Sequence, residues 1–408
     1  MTQAVQLQAS TQQDALVRRI DELAAARGAA NERFFAAGAE RVARLCHRMA
    51  ERFARGGRLV TFGHSAAARS DVRHVAVEFV HPVIVGKRAL PAIGLAREGG
   101  PLALQLDLVA ASGDIVIAFG GEAEVAEALA VAGERGCLTI AFAPLEAEWT
   151  FAPPSDDPFV RQELVETLYH VLWELVHVFF EHRGLLEGRE AAPVHDTGAS
   201  SFLYPFLSEG ERDLESVIGD VRSSVLMKSE EVGALREQTL AEGHEQLVAA
   251  ARVLRASFDA GGKLLAFGNG GSATDAMDVV ADFRMAPHGW RPRAALDLTE
   301  DSAILTALAN DIGPDVLFQR QIIAYGREPD AVLAISTSGN SRNVIGALAE
   351  ARERGLRTVA LVGYDGGRVA GEGLADHVIV TRSQHIPRIQ EAQASAYHVL
   401  RELVERVT

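Results

Sequence analysis

The chain has 408 residues, 23% of them charged, and a formal net charge of −15. That length suits two domains, each able to bury its own core. The acidic balance excludes a nonspecific nucleic-acid binder, which needs a basic face, so an anionic ligand would need a local site. Nearly half of the residues are hydrophobic, yet no apolar run reaches the roughly 18 residues of a membrane span. The two cysteines, Cys46 and Cys137, are far apart, which argues against a disulfide framework or a thiolate zinc site. The opening stretch from Met1 to Gln13 is polar and rich in glutamine, unlike a signal peptide. A cytoplasmic globular protein with no membrane or nucleic-acid partner is expected.

In chain order, a helical pattern over roughly 13–55 leads to Gly56-Gly57 and the apolar strand Arg58–Gly63. A second helical pattern over roughly 209–260 leads to Gly261-Gly262 and the strand Lys263–Gly268. Asp114–Phe119 then matches Asp330–Ile335, Leu138–Phe142 matches Thr358–Val362, and Tyr169–Val176 matches Tyr397–Val404. The matches are collinear, the signature of an internal duplication. Continuous apolar strands alternating with helical periods imply parallel sheets covered on both faces. The fold expected is α/β: two tandem doubly wound sheets, each five-stranded and mostly parallel, with extra helices for packing. The expected boundaries are a first domain at 1–183, a linker at 184–208 rich in Gly, Pro, Asp and Ser, and a second domain at 209–408. Arg388–Val407 is expected to be a long amphipathic helix.

Two turns in the second half carry the clearest chemistry. Gly268-Asn-Gly-Gly-Ser-Ala273 sits between a strand and a helix. Its glycines let the backbone approach a ligand, and the helix behind it offers free N–H groups to an anion. Ser336-Thr-Ser-Gly-Asn-Ser341 follows another strand, at the carboxyl edge where open α/β sheets bind ligands. Together they suit a phosphate held without Lys or Arg, with Asn269, Gly270, Ser272, Ser336, Thr337, Ser338 and Ser341 as contacts.

These turns, with Asp275-Ala-Met277, Asn310-Asp311, Asp365-Gly-Gly367 and Arg388-Ile-Gln-Glu391, resemble the sugar isomerase (SIS) fold. Within it, 260–404 is similar to the phosphoheptose isomerases. The resemblance implies substrate contacts from Asn310, Asp311 and Gln390. It also implies a divalent metal, usually zinc, held by a His and a Glu four residues apart on one helix and a Gln and a His eight apart on another, with the Glu and last His as acid and base. In the second half these positions are Asp278, Asp282, Gln390 and His398. Two aspartates replace the His and Glu, and Pro387 replaces an acidic residue. Asp favours oxygen-loving ions over zinc.

The first half reverses the pattern. Gly63-His-Ser-Ala-Ala-Ala68 and Phe119-Gly-Gly-Glu-Ala123 replace the two turns, yet His74, Glu78, Gln162 and His170 retain the family's ligand types and spacing. Complementary loss implies a composite site, with phosphate held by the second half and metal or acid–base groups supplied at least partly by the first. The resemblance also implies assembly as a homodimer, a pseudo-tetramer of SIS domains.

The leading function expected is a ketose–aldose isomerase acting on a phosphorylated sugar such as sedoheptulose 7-phosphate. Glu78 or Asp282 would be the base, and His170 or His398 the partner acid. A non-catalytic sugar-phosphate sensor or scaffold that binds a protein partner stays open, as does altered chemistry on a smaller phosphosugar.

Overall fold

A computed structural model describes residues 3–83, 87–181 and 213–407; the expected linker at 184–208 lies outside them. Two five-stranded sheets are present. The first comprises β1 (Leu59–Gly63), β2 (Ala92–Ala96), β3 (Ile115–Phe119), β4 (Leu138–Ala141) and β5 (Trp149–Thr150), in the order β2-β1-β3-β4-β5. The second comprises β6 (Leu264–Phe267), β7 (Ala295–Asp297), β8 (Ala331–Ser336), β9 (Arg357–Gly363) and β10 (His377–Thr381), in the order β10-β9-β8-β6-β7. Every pairing is parallel. Read from each half's own first strand, the two orders are identical, which confirms the expected architecture. In both sheets the order reverses beside the first strand, between β1 and β3 and between β6 and β8, where such folds open a crevice for ligands.

The central strands are apolar and buried along their whole length: all five residues of Ile115–Phe119 and all six of Ala331–Ser336. Helices cover both faces, among them α2 (Ala66–Val80), α3 (Leu102–Val109), α4 (Ala123–Glu134) and α5 (Pro158–Glu181) in the first half. The second half has α7 (His244–Asp259), α8 (Gly271–Arg284), α9 (Ser302–Asp311), α10 (Leu317–Tyr325), α11 (Arg342–Glu353), α12 (Gly367–Gly371) and α13 (Ile386–Arg406). Two long helices open the halves: α1 (Gln3–Ala54) and α6 (Leu214–Glu242).

The domain boundaries expected from sequence need correction. The chain forms one compact unit from Met1–Ala29 with Glu231–Thr408 and another from Ala30–Glu230. Leu16, Ile20 and Leu23 of α1 pack in the core of the second sheet, with Leu247, Leu254 and Leu400. Val217, Ile218, Val221 and Val225 of α6 pack in the core of the first, with Val171, Leu172 and Leu175. Each apolar stripe therefore follows the core that buries it, and chain order does not decide membership. The long helix expected over Arg388–Val407 is present as α13, and it is buried on every side from Pro387 to Val404. Its charged residues are tolerated because they are paired: Arg388 with Glu391 at 2.9 Å, and Arg401 with Glu405 at 2.8 Å. Pro387 falls in the first turn of α13, where a missing N–H costs nothing.

Candidate functional site

In the second unit both expected phosphate turns emerge from the carboxyl edge of adjacent strands, since Phe267 of β6 is in register with Ala334 of β8. Gly268 is required there: a Cβ would stand 2.4 Å from the Ser272 carbonyl oxygen. Gly270 caps α8 at φ 58°, a conformation costly for other residues. Reciprocal amide hydrogen bonds at 3.0 and 2.9 Å join Asn269 to Asn343 and lock the two turns together. Within the serine loop, Ser336 Oγ accepts from Gly339 N at 3.1 Å and Ser338 Oγ from Asn340 N at 3.2 Å. A hydroxyl that accepts from its own loop keeps its proton to donate to a phosphate oxygen. Ser341 precedes α11 without a side-chain capping bond, and Val344 N donates to Asn343 Oδ1 at 2.9 Å, which leaves the N–H groups of Arg342 and Asn343 for an anion. The Asp365–Gly367 turn after β9 supports the loop from behind, with Val369 N donating to Gly339 O at 3.1 Å and Arg368 N to Asn340 Oδ1 at 3.0 Å. Asn310 and Asp311 are exposed at the end of α9, and Asn310 donates to Asp311 at 2.7 Å.

The corresponding turns of the first unit are filled by the chain's own side chains. His64 Nδ1 lies 2.9 Å from Glu124 Oε2, and Glu124 Oε1 accepts from Leu102 N at 3.2 Å. Ser65 Oγ caps α2, accepting from Ala68 N at 3.1 Å. The Glu122 carboxylate folds over Gly120, where an added Cβ would collide with it.

Each unit gathers a cluster of metal-ligand types. In the first, one ligand atom each from His74, Glu78 and His170 lies within 4.8 Å of the others, all buried. His74 Nε2 is 3.3 Å from His170 Nε2 and 3.9 Å from Glu78 Oε1. Glu78 Oε2 is buried and meets no hydrogen-bond donor among the described residues. Burial, reinforced by the Glu174 carboxylate, pushes the Glu78 carboxyl up to about 8. In the second unit Asp278, Asp282 and His398 gather in the same way, with His398 Nε2 3.5 Å from Asp278 Oδ2 and 3.4 Å from Asp282 Oδ2. Gln390 is buried two helical turns before His398, whereas Gln162 is half-exposed.

Four residues in these clusters escaped the sequence reading. Tyr169 OH lies 3.0 Å from His74 Nδ1, and Tyr397 OH donates to Asp278 Oδ2 at 2.9 Å. Glu174, fully buried four residues after His170, pairs with Lys228 of α6. The duplicated Tyr-His-Val-Leu-x-Glu segment was the available signal for both tyrosines and for Glu174, while Lys228 had none.

Comparison with known proteins bears on these features. A family model described as SIS domain matches residues 229–363. The phosphoheptose isomerase of Chlorobium phaeobacteroides is 45% identical over 188 residues, covering 45% of this chain and 82% of that protein. The phosphoheptose isomerase of Geobacter sulfurreducens is 45% identical over 160 residues, covering 38% and 82%. The chain belongs to the phosphoheptose isomerase family. Solved structures extend the likeness in fold across both halves. Tagatose-6-phosphate ketose/aldose isomerase from Escherichia coli superposes with a TM-score of 0.55 at 12% identity, covering 94% of this chain and 91% of that one. The C-terminal domain of glucosamine-fructose-6-phosphate aminotransferase from Francisella tularensis gives 0.55 at 10% identity, covering 87% and 86%. No described helix is long and apolar enough to cross a membrane.

Proposed function

We propose that the protein is a ketose–aldose isomerase of phosphorylated sugars, with a seven-carbon substrate such as sedoheptulose 7-phosphate. One observation carries this reading: the helix that starts in the glycine turn also bears the carboxylates that meet His398. From Ser272 to Asp278 and Asp282 is six and ten residues, about 9 and 15 Å along an α-helix, a span on the scale of an extended sugar phosphate. The phosphate would accept from Ser272, Thr337, Ser338 and Ser341 and from the N-termini of α8 and α11, leaving the carbonyl end toward His398.

Isomerisation requires a proton to leave the carbon beside the carbonyl and return to its neighbour. Asp282 would take that proton, and His398 would move the proton between the two oxygens of the enediolate. Desolvation of the pair, with His398 fully buried, strengthens both interactions. A divalent cation fits each cluster by donor type. Asp278, Asp282 and His398 would hold an oxygen-loving ion, while His74, Glu78 and His170, with the unbonded Glu78 oxygen, suit zinc. When bound, such an ion polarises the sugar's carbonyl and hydroxyl oxygens. Family relatives named phosphoheptose isomerases at 45% identity support the reading.

The test is exchange of solvent deuterium into sedoheptulose 7-phosphate, followed by NMR with and without chelator. Exchange that requires the protein and stops on Ser338→Ala/Ser341→Ala substitution is the expected result. Tight binding of the sugar phosphate without exchange would instead make the protein a sugar-phosphate-binding module.

A further inference from the structure

Each C-terminal helix places a tyrosine directly before its cluster histidine, and in both units that tyrosine bonds the residue on the facing helix. Tyr169 reaches His74 and Tyr397 reaches Asp278, at 3.0 and 2.9 Å. Both hydroxyls act in buried surroundings: Tyr169 and Tyr397 are 2% and 4% exposed. The ring geometry repeats as well. Tyr169 meets His170 edge to face with centroids 5.0 Å apart, and Tyr397 meets His398 likewise at 4.6 Å. The arrangement is the same although its partner has changed from an imidazole to a carboxylate. A contact that served only to pack His74 would have no reason to persist against Asp278.

We infer that Tyr169 and Tyr397 are positioning residues that aim the first cation ligand of each cluster, an inference that rests on the metal reading given above. The contact acts differently in the two units. In the first, the hydroxyl sits at Nδ1 of His74, so the ring turns Nε2 toward His170 and Glu78. When Nε2 ligates a cation the ring proton resides on Nδ1, and the phenolic oxygen accepts it, fixing both tautomer and orientation. In the second, the phenol donates to Oδ2 of Asp278 and holds the carboxylate plane beside His398. Adjacent residues lie about 100° apart around a helix, so each tyrosine approaches its ligand from the flank of the histidine without occupying the space between the ligand atoms.

The test measures cation affinity on the full chain, independent of turnover. Zn²⁺ binding by competition with a chromophoric chelator reports the nitrogen-rich cluster, and Mn²⁺ binding by electron paramagnetic resonance reports the carboxylate-rich one. Tyr169→Phe, which keeps the ring and removes one oxygen, is expected to weaken Zn²⁺ about 10- to 100-fold, the usual effect of removing such an outer partner. It should leave Mn²⁺ affinity unchanged. Tyr397→Phe should do the reverse, weakening Mn²⁺ and sparing Zn²⁺. The Co²⁺ absorption bands of the first cluster should shift in Tyr169→Phe, a change that packing alone would not produce. Unchanged affinity in either variant for its own ion, or a wild-type protein that binds neither ion, overturns the inference. Affinity shifts as described in a protein without isomerase activity would uphold it while removing the proposed function.

Discussion

The two halves share one strand order and one pair of site-bearing helices, and differ in which part of the site each has kept. The second half has open turns: glycine at the strand end, serines whose hydroxyls keep a proton to give, and an α11 whose Ser341 makes no side-chain capping bond. The first half has closed its turns with His64, Glu122 and Glu124, and keeps the two-histidine cluster with its buried, proton-holding Glu78. The strand-end turns and the cluster of ligand-type side chains are therefore separable. The turns depend on backbone conformation at strand ends, and the cluster on side chains two and three helical turns further on. Either can change while the core beneath it stays the same.

The largest effect expected is on turnover. His398→Ala should lower the isomerisation rate about 10²- to 10⁴-fold, the contribution of a positioned acid or base, while His170→Ala should cost less than about tenfold on the same scale. Steady-state rates on both variants, with binding of the sugar phosphate measured in parallel, check it. The reverse ranking would move the proton chemistry to the first half's cluster, and the comparison would have to be redrawn.

Next in size is the pH dependence that the first cluster gives to stability. The Glu78 carboxyl stands at about 8 in the fold, against an ordinary value of 4.5, because of its burial and then Glu174. The folded state therefore holds this proton more tightly than the unfolded chain. The stability it adds is complete below pH 4.5 and is lost as pH rises to 8, at up to about 1.4 kcal/mol per pH unit for one group. Chelator-treated wild type should lose stability to denaturant across that window, and Glu78→Gln should lose much less. Parallel curves for the two proteins would mean that the carboxylate is ionised and balanced within the fold, with His74 Nε2 at 3.9 Å as the candidate counter-charge.

Third, Ser338→Ala or Ser341→Ala should weaken sugar-phosphate binding by about 1.5–3 kcal/mol each, the value of a hydrogen bond to a charged group. Calorimetric titration at fixed salt is the measurement.

Much of this was legible in the sequence because the signals were local. Gly268–Ala273 and Ser336–Ser341 each specify a turn by residues within six positions, and the repeat located them after equivalent strands. The spacing of four between His74 and Glu78 fixed a shared helix face. What escaped depended on contacts between distant segments. Neither the membership of residues 1–29 in the second unit nor that of 213–230 in the first has a local signature, because an apolar stripe such as Leu16, Ile20 and Leu23 does not say which core will bury it. The charged residues of α13 read as a solvated face until their partners were in view, Glu391 for Arg388 and Glu405 for Arg401. Tyr169 and Tyr397 stood in the sequence only as part of the repeat, and the hydroxyl contacts reveal their direction.

The smallest effect expected is the sharpest control on the comparison. Glu122→Ala and His64→Ala alter the first half's turns at the positions equivalent to the second half's proposed phosphate contacts. If those turns bind no phosphate, neither variant should change sugar-phosphate affinity by more than about twofold, and removing a half-exposed pair such as His64–Glu124 should cost stability about 0–1 kcal/mol. A phosphate placed at Gly120 would meet the Glu122 carboxylate already lying there, and one at Gly63 would have to displace Glu124 from His64. A rise in phosphate affinity on Glu122→Ala would show that the backbone cradle survives beneath the carboxylate and that a single acidic side chain holds it shut. A fall would show the reverse, that the first half's turn contributes to the bound sugar, and the division of labour between the halves would fail at its simplest point.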